Sequence, residues 1–361
     1  MAAIVREFVS LESPSARRAG AGGRPCQGLY HRAEGTSPRV AVIATHYEVD
    51  FSEHYLAEYL AARGIAMLGW NTRYRGAGMY FNLGPALADI GRGVRWLREQ
   101  AGVETVVILG NSGGASLMSA YHAEALDPTL ERVGELSPGD LFISLNAHGG
   151  RPDVLTSWLD PSVTDEGDPL SVDPVLDMFS AEHGPPYAPE FVTRYRAAQV
   201  ARNHRITEWC RTELARLSAG GGSERVFQVP RTWADLRFLD LTIEPSERAV
   251  GCYAGDARTA NYGPFGLAAA NTCRSWLAMW SLSDSRCRAE PHLAKVTVPA
   301  LVVQSTGDQG CYRSDGEGIH AALGSDDKTF TEVPGDHYLL SPAEARETVA
   351  DLITGWVERR S

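Results

Sequence analysis

The sequence predicts an α/β fold, a mostly parallel sheet flanked by helices and split by one large, mainly helical insertion. Three observations carry this. Short, uniformly apolar runs alternate with helix-period segments over the first 150 residues; the rhythm stops after Gly149-Gly150; and it returns near residue 296. A strand covered on both faces reads as a continuous β-branched run, and its alternation with helices marks parallel connections. The 361 residues therefore read as one core, 1–150 and 293–361, interrupted by 151–292.

The elements follow in order. Residues 40–44 (VAVIA) make the first buried strand. Residues 53–63 read as a helix, with Tyr55, Leu56, Tyr59 and Leu60 at helical spacing and Gly64 as its stop. Residues 65–70 form a second strand, 87–100 a helix with Ile90, Val94 and Leu97 on one face, 105–109 a third strand and 141–145 a fourth. The insertion offers no convincing buried strand. It holds five of the eight tryptophans and one long helix over about 189–217, ended by Gly220-Gly221-Gly222. A strand over 296–303, a helix near 317–323, a strand near 328–333 and a last helix over 342–359 close the chain.

Composition narrows the function. Acidic residues outnumber basic ones, 45 to 34, for a formal net charge of −11. That balance argues against nucleic acid or an anionic membrane as the main partner. No apolar run approaches the ~20 residues of a membrane span. The first ten residues carry Arg6 and Glu7 where an export signal would keep its apolar stretch, so a cytoplasmic protein is expected. Six scattered cysteines without a Cys-x-x-Cys pair fit small buried hydrophobes of a reducing compartment. No His-Glu-x-x-His, phosphate loop or dinucleotide fingerprint occurs, so no metal and no cofactor is required. A homo-oligomer stays open.

Gly110-Asn111-Ser112-Gly113-Gly114 lies directly between the strand at 105–109 and a helical segment over 115–125. Such a sharp turn exposes the serine hydroxyl above the carboxyl edge of the sheet, with Gly110 and Gly114 allowing close backbone approach. The helix start behind it offers free N–H groups to a developing oxyanion. A serine needs a base that is held by an acid. Asp308 and His337 each follow a strand, in Gln304-Ser305-Thr306-Gly307-Asp308 and Val333-Pro334-Gly335-Asp336-His337. The competing readings are an ordinary Gly-Asp turn and a surface histidine, with Asp336 a rival orienting acid whose side chain should point away from His337.

On these residues the sequence resembles the α/β-hydrolase superfamily, over about residues 25–150 and 293–361. The resemblance implies an eight-stranded, mostly parallel sheet with a cap, 151–292, inserted after the sixth strand. It gives Ser112, Asp308 and His337 the roles of nucleophile, orienting acid and base, in the family's chain order. Asn71-Thr72-Arg73-Tyr74-Arg75-Gly76-Ala77-Gly78 is similar to the family's Asp-x-Arg-Gly-x-Gly segment, matching at Arg75, Gly76 and Gly78. The family's His-Gly oxyanion segment corresponds to His46-Tyr47, which implies the backbone N–H groups of Tyr47 and Gly113 as oxyanion donors. A serine nucleophile argues against the aspartate-based haloalkane dehalogenases and epoxide hydrolases.

His46 and His148, both at strand ends, and Trp158 in the insertion are candidates for the substrate pocket rather than for the base. The acidic stretch 160–168 reads as a solvated loop, lacking the ligand spacing of a calcium site. The expected activity is hydrolysis of a carboxylic ester of a mid-sized, partly hydrophobic small molecule, because a large cap disfavours a polymer. Three alternatives stand beside it. Gly110-Asn111-Ser112 is similar to the elbow of meta-cleavage-product hydrolases, which implies carbon–carbon cleavage next to a ketone. The same acyl-enzyme serves a thioesterase or acyltransferase, and some relatives only bind a small ligand.

Overall fold

A computed structural model describes residues 3–13, 24–131 and 133–361. The sheet begins with two strands absent from the sequence reading, β1 (Ile4–Leu11) and β2 (Cys26–Ala33), paired antiparallel. The reason is placement. β1 lies at the sheet edge with Arg6, Glu7 and Phe8 exposed, so it lacks the apolar run that betrays a central strand. β3 (Val40–Ala44), α1 (Ala57–Ala61), β4 (Ala66–Asn71), α2 (Leu83–Glu99), β5 (Thr105–Asn111), α3 (Gly114–Leu126) and β6 (Leu141–Leu145) follow.

α1 is shorter than the helix expected over 53–63. Residues 51–56 are instead held in turns: the Phe51 N–H donates to Asn71 Oδ1 at 2.8 Å and the His54 N–H to the Phe51 carbonyl at 3.1 Å. After β6 come α4 (Arg151–Trp158), α5 (Pro189–Ala219), β7 (Val226–Gln228), α6 (Ala257–Asn261), β8 (Ala270–Thr272), α7 (Cys273–Ser275) and α8 (Glu290–Leu293). β7 and β8 form a two-stranded antiparallel ribbon too short to show in the sequence. β9 (Ala300–Ser305), α9 (Arg313–Ala322), β10 (Lys328–Val333) and α10 (Ala345–Glu358) complete the chain. β9 starts later than expected, just past Pro299, which has no N–H to give a ladder.

The sheet order is β1-β2-β4-β3-β5-β6-β9-β10; β1 with β2 and β2 with β4 are antiparallel, and the remaining pairs are parallel. The strand period of two splits each central strand between two cores. Ile43, Val106 and Ile108 pack with Leu87 and Ile90 of α2 and Leu117 of α3. Val42, Val107 and Leu109 pack with Leu60 of α1 and Ile353 and Trp356 of α10. Helices on both faces are thus enforced by strands apolar on both sides.

The first of these cores runs on without a break into the segment between β6 and β9, through Ile206, Cys210, Trp276 and Trp280. That segment also has two small clusters of its own, one around Trp158, Trp233 and Phe238 and one around Met178, Phe191 and Tyr195. The stretch 160–168 corrects the expectation of a solvated loop. Asp160 is fully buried against Arg231 at 2.6 Å, and Glu166 pairs with the buried Arg202 at 2.6 Å; Asp165 and Asp168 remain exposed. Burying Arg202 and Arg231 requires counter-charges, and the loop supplies them. All six cysteines are buried and free. Among the described residues no helix is long and apolar enough to cross a membrane.

Candidate active site

β5 ends at Asn111 and α3 begins at Gly114, so the chain must reverse within two residues. Ser112 takes up the turn with φ 52°, the left-handed region that costs a non-glycine residue about 1 kcal/mol. The neighbours explain the glycines. A Cβ on Gly110 would come within 2.5 Å of Ala115 Cα, and one on Gly114 within 2.3 Å of the Thr45 carbonyl oxygen. The Ser112 N–H donates to the Leu145 carbonyl at 3.1 Å, pinning the elbow to the end of β6. Asn111 donates to the same carbonyl at 2.9 Å. His54, missed in the sequence, completes this brace through Nε2 and Asn111 Oδ1 at 3.1 Å. Burial pulls its pKa down to about 4, and Nδ1 accepts the Leu56 N–H, so the ring is neutral with its proton on Nε2.

Asp308 and His337 come together from the loops after β9 and β10. His337 Nδ1 lies 2.8 and 3.0 Å from the two Asp308 oxygens, and both residues are buried. The Gly310 and Cys311 N–H groups donate to Asp308 Oδ1 at 2.7 and 2.9 Å, which holds the carboxylate in place. The rival Asp336 instead caps its own turn, accepting from the Tyr338 and Leu340 N–H groups. Tyr253, from the insertion, stacks on His337 with ring centroids 4.9 Å apart.

Asn146 links the parts. At the end of β6, with φ 43°, it donates to the His337 carbonyl at 3.2 Å and accepts the Ser305 N–H at 2.8 Å. An asparagine directly after the buried strand 141–145, a residue type enriched in the left-handed region, is the signal that could have revealed it.

Ser112 and His337 open into one cavity of about 410 Å³. His46, His148 and Trp158 line it too, so the three pocket candidates share one space with Ser112 and His337. Tyr47 does not line it; its hydroxyl bonds Ser116 on α3 at 3.0 Å. Among the described residues neither the Tyr47 N–H nor the Gly113 N–H has an acceptor. Burial, then the charge of Arg151, lowers the pKa of both His46 and His148, that of His148 to about 3. A larger cavity, about 1000 Å³, lies wholly between residues 163 and 270 and touches none of the groups around Ser112.

Asp308, Cys311 and His337 bring ligand atoms within 4.8 Å of one another. The carboxylate is already committed to His337 and two N–H groups, and burial followed by the charge of Asp308 keeps the Cys311 thiol protonated. The set suits a hydrogen-bonded acid–base pair better than an ion.

No protein-family model and no curated protein sequence matches the chain. Solved structures do. An α/β hydrolase from Penicillium sp. sh18, GrgF, is 12% identical with TM-score 0.55, covering 99% of each chain. The esterase domain of a Rhodothermus marinus protein is 14% identical with TM-score 0.51, covering 98% of each chain. Est1E from Butyrivibrio proteoclasticus is 12% identical with TM-score 0.51, covering 97% of this chain and 98% of its own. With its sheet order, its elbow and these neighbours, the chain has the α/β-hydrolase fold.

Proposed function

We propose that the protein is a serine hydrolase that cleaves a carboxylic ester of a mid-sized, partly apolar small molecule. The observation that carries the reading is the buried Asp308–His337 pair opening into the same cavity as a serine held in a left-handed elbow. Asp308 occupies Nδ1 of His337, so Nε2 is the nitrogen free to take the Ser112 proton. Ser112 Oγ attacks the ester carbonyl, and the charge on its oxygen falls on the Tyr47 and Gly113 N–H groups. Collapse expels the alcohol, which takes its proton from His337. Water, deprotonated by the same nitrogen, then attacks the acyl-serine and releases the acid.

The segment 151–292 acts as the cap: α4 and the Tyr253 loop bring Val154, Trp158 and Tyr253 over the nucleophile and keep water scarce. Two of the structural neighbours carry esterase names, which fits this reading. Incubation with a fluorophosphonate should add one adduct by intact mass, and Ser112→Ala should abolish it. An adduct that survives the substitution, or none on the native protein, overturns the assignment.

A further inference from the structure

We propose that the ester taken by this site carries a carboxylate close to its scissile carbonyl, and that Arg151 is the residue that recognises it. This rests on the hydrolase reading of Ser112. Arg151 opens α4, lines the cavity, and its side chain is only 2% exposed. Its plane is fixed between aromatic rings, with Cζ 4.3 Å from the Trp280 centroid and 5.0 Å from that of Tyr47. One N–H group meets Glu48 Oε1 at 3.2 Å, while Nε is buried with no partner among the described residues. Nη1 stands 2.8 Å from the point where a Cβ on Gly113 would sit, next to the nucleophile.

A guanidinium offers five donors in a planar fork, and leaving them unmet in a dry site is costly. Asp50 and Glu53 also line the cavity, but both are exposed and paired with Arg75 and Arg6; the buried imidazole and indole groups around Arg151 add donors. His148 Nδ1 accepts the Gly150 N–H at 3.2 Å and His46 Nδ1 the Val49 N–H at 3.4 Å, so each neutral ring carries its proton on Nε2. Trp158 Nε1, also lining the cavity, is buried without a partner among the described residues. Among the described residues Glu48, partly exposed, is the one carboxylate paired with Arg151. A planar two-oxygen anion is the ligand that matches this surplus. Half-esters of short dicarboxylic acids have that chemistry. Water and half-ester anion give alcohol, dicarboxylate and one proton released to solvent, with the recognised carboxylate unchanged.

The test compares a glutarate half-ester with its methyl-capped diester, using the native protein, Arg151→Gln and Arg151→Lys. The half-ester should be preferred in kcat/KM, and Arg151→Gln should lower its turnover about 10- to 100-fold more than that of the diester, with Arg151→Lys between. Equal losses on both esters would assign Arg151 to the oxyanion instead and overturn the proposal, as would no preference for the half-ester. If Arg151→Gln does not fold, Glu48→Gln decides. Removing the competing carboxylate should tighten glutarate binding several-fold by calorimetry, and unchanged binding overturns the proposal. Glutarate binding to Ser112→Ala separates the two ideas: absent fluorophosphonate labelling of the native protein defeats the hydrolase reading, whereas absent glutarate binding to Ser112→Ala defeats this one alone.

Discussion

Along β3, β5, β6 and β9 the buried side chains are mostly aliphatic, and helices cover both faces. Between β6 and β9 the interior is threaded with charge. Asp160 meets Arg231, Arg202 meets Glu166, and Asp235 sits between Arg196 and Arg237 at 2.7 and 2.8 Å, all three acids or arginines at the centre of each pair fully buried or nearly so. Apolar burial is non-directional and tolerates exchange of similar shapes. A buried ion pair tolerates no loss of one partner. The sheet is therefore a forgiving scaffold for the Ser112 turn, while the segment that faces it is held in one geometry by partners that must match.

The largest expected effect concerns the sheet side of the cavity. Ser112→Ala should reduce ester turnover about 10,000-fold or more while leaving the melting temperature within a few degrees of native. A comparable loss from a change remote from the cavity would erase the division of labour. Next comes the insertion. Arg231→Ala leaves Asp160 charged and buried, so urea unfolding should show about 3–5 kcal/mol lost. Because one apolar core runs through both regions, the loss should appear as one transition. An earlier, separate step confined to residues 151–292 would make the insertion an independent folding unit.

A smaller effect separates the regions by pH. His54 and His122 on the sheet side have pKa values pushed down to about 4 by burial. Above the unfolded value near 6.5 both states are neutral. Below it the unfolded chain binds protons that the folded one refuses, so stability falls from about pH 6.5 to 4 and then levels off. Each histidine contributes up to about 1.4 kcal/mol per pH unit in that window. His122, whose ring nitrogens are both unpartnered among the described residues, is the cleaner probe. His122→Leu should flatten its share of the slope in urea titrations at pH 7, 6 and 5, and an unchanged slope would place the acid sensitivity elsewhere. The smallest effect tests the tolerance of the sheet: Ile143→Val, fully buried in β6, should cost about 0.5–1.5 kcal/mol.

Much of the sheet was readable in the sequence because its cause is local. Residues 40–44, 105–109 and 141–145 are apolar on both faces, and that pattern has one stable setting. β1 and β2 were not readable, since Arg6 and Glu7 interrupt the apolar residues of β1 at the sheet edge and β2, CQGLYHRA, carries no apolar run. Residues 53–56 read as helix but are held in turns, because the bonds from Asn71 and Asn111 that fix this stretch come from distant strands.

The site divides the same way. Gly110 to Gly114, Asp308 and His337 could be singled out as candidates in the sequence because each sits where a strand ends, and the strands were visible. Where their neighbours lie was decided by tertiary structure. Arg151 meets Glu48 across 103 residues, Asp160 meets Arg231 across 71, and Asn146 reaches His337 across 191. Hydrophobic periodicity is written into every few residues, so the central parallel strands and the turn at Ser112 were legible in the sequence alone. A buried charge and its partner leave no local period, and only the fold determined which groups surround the serine.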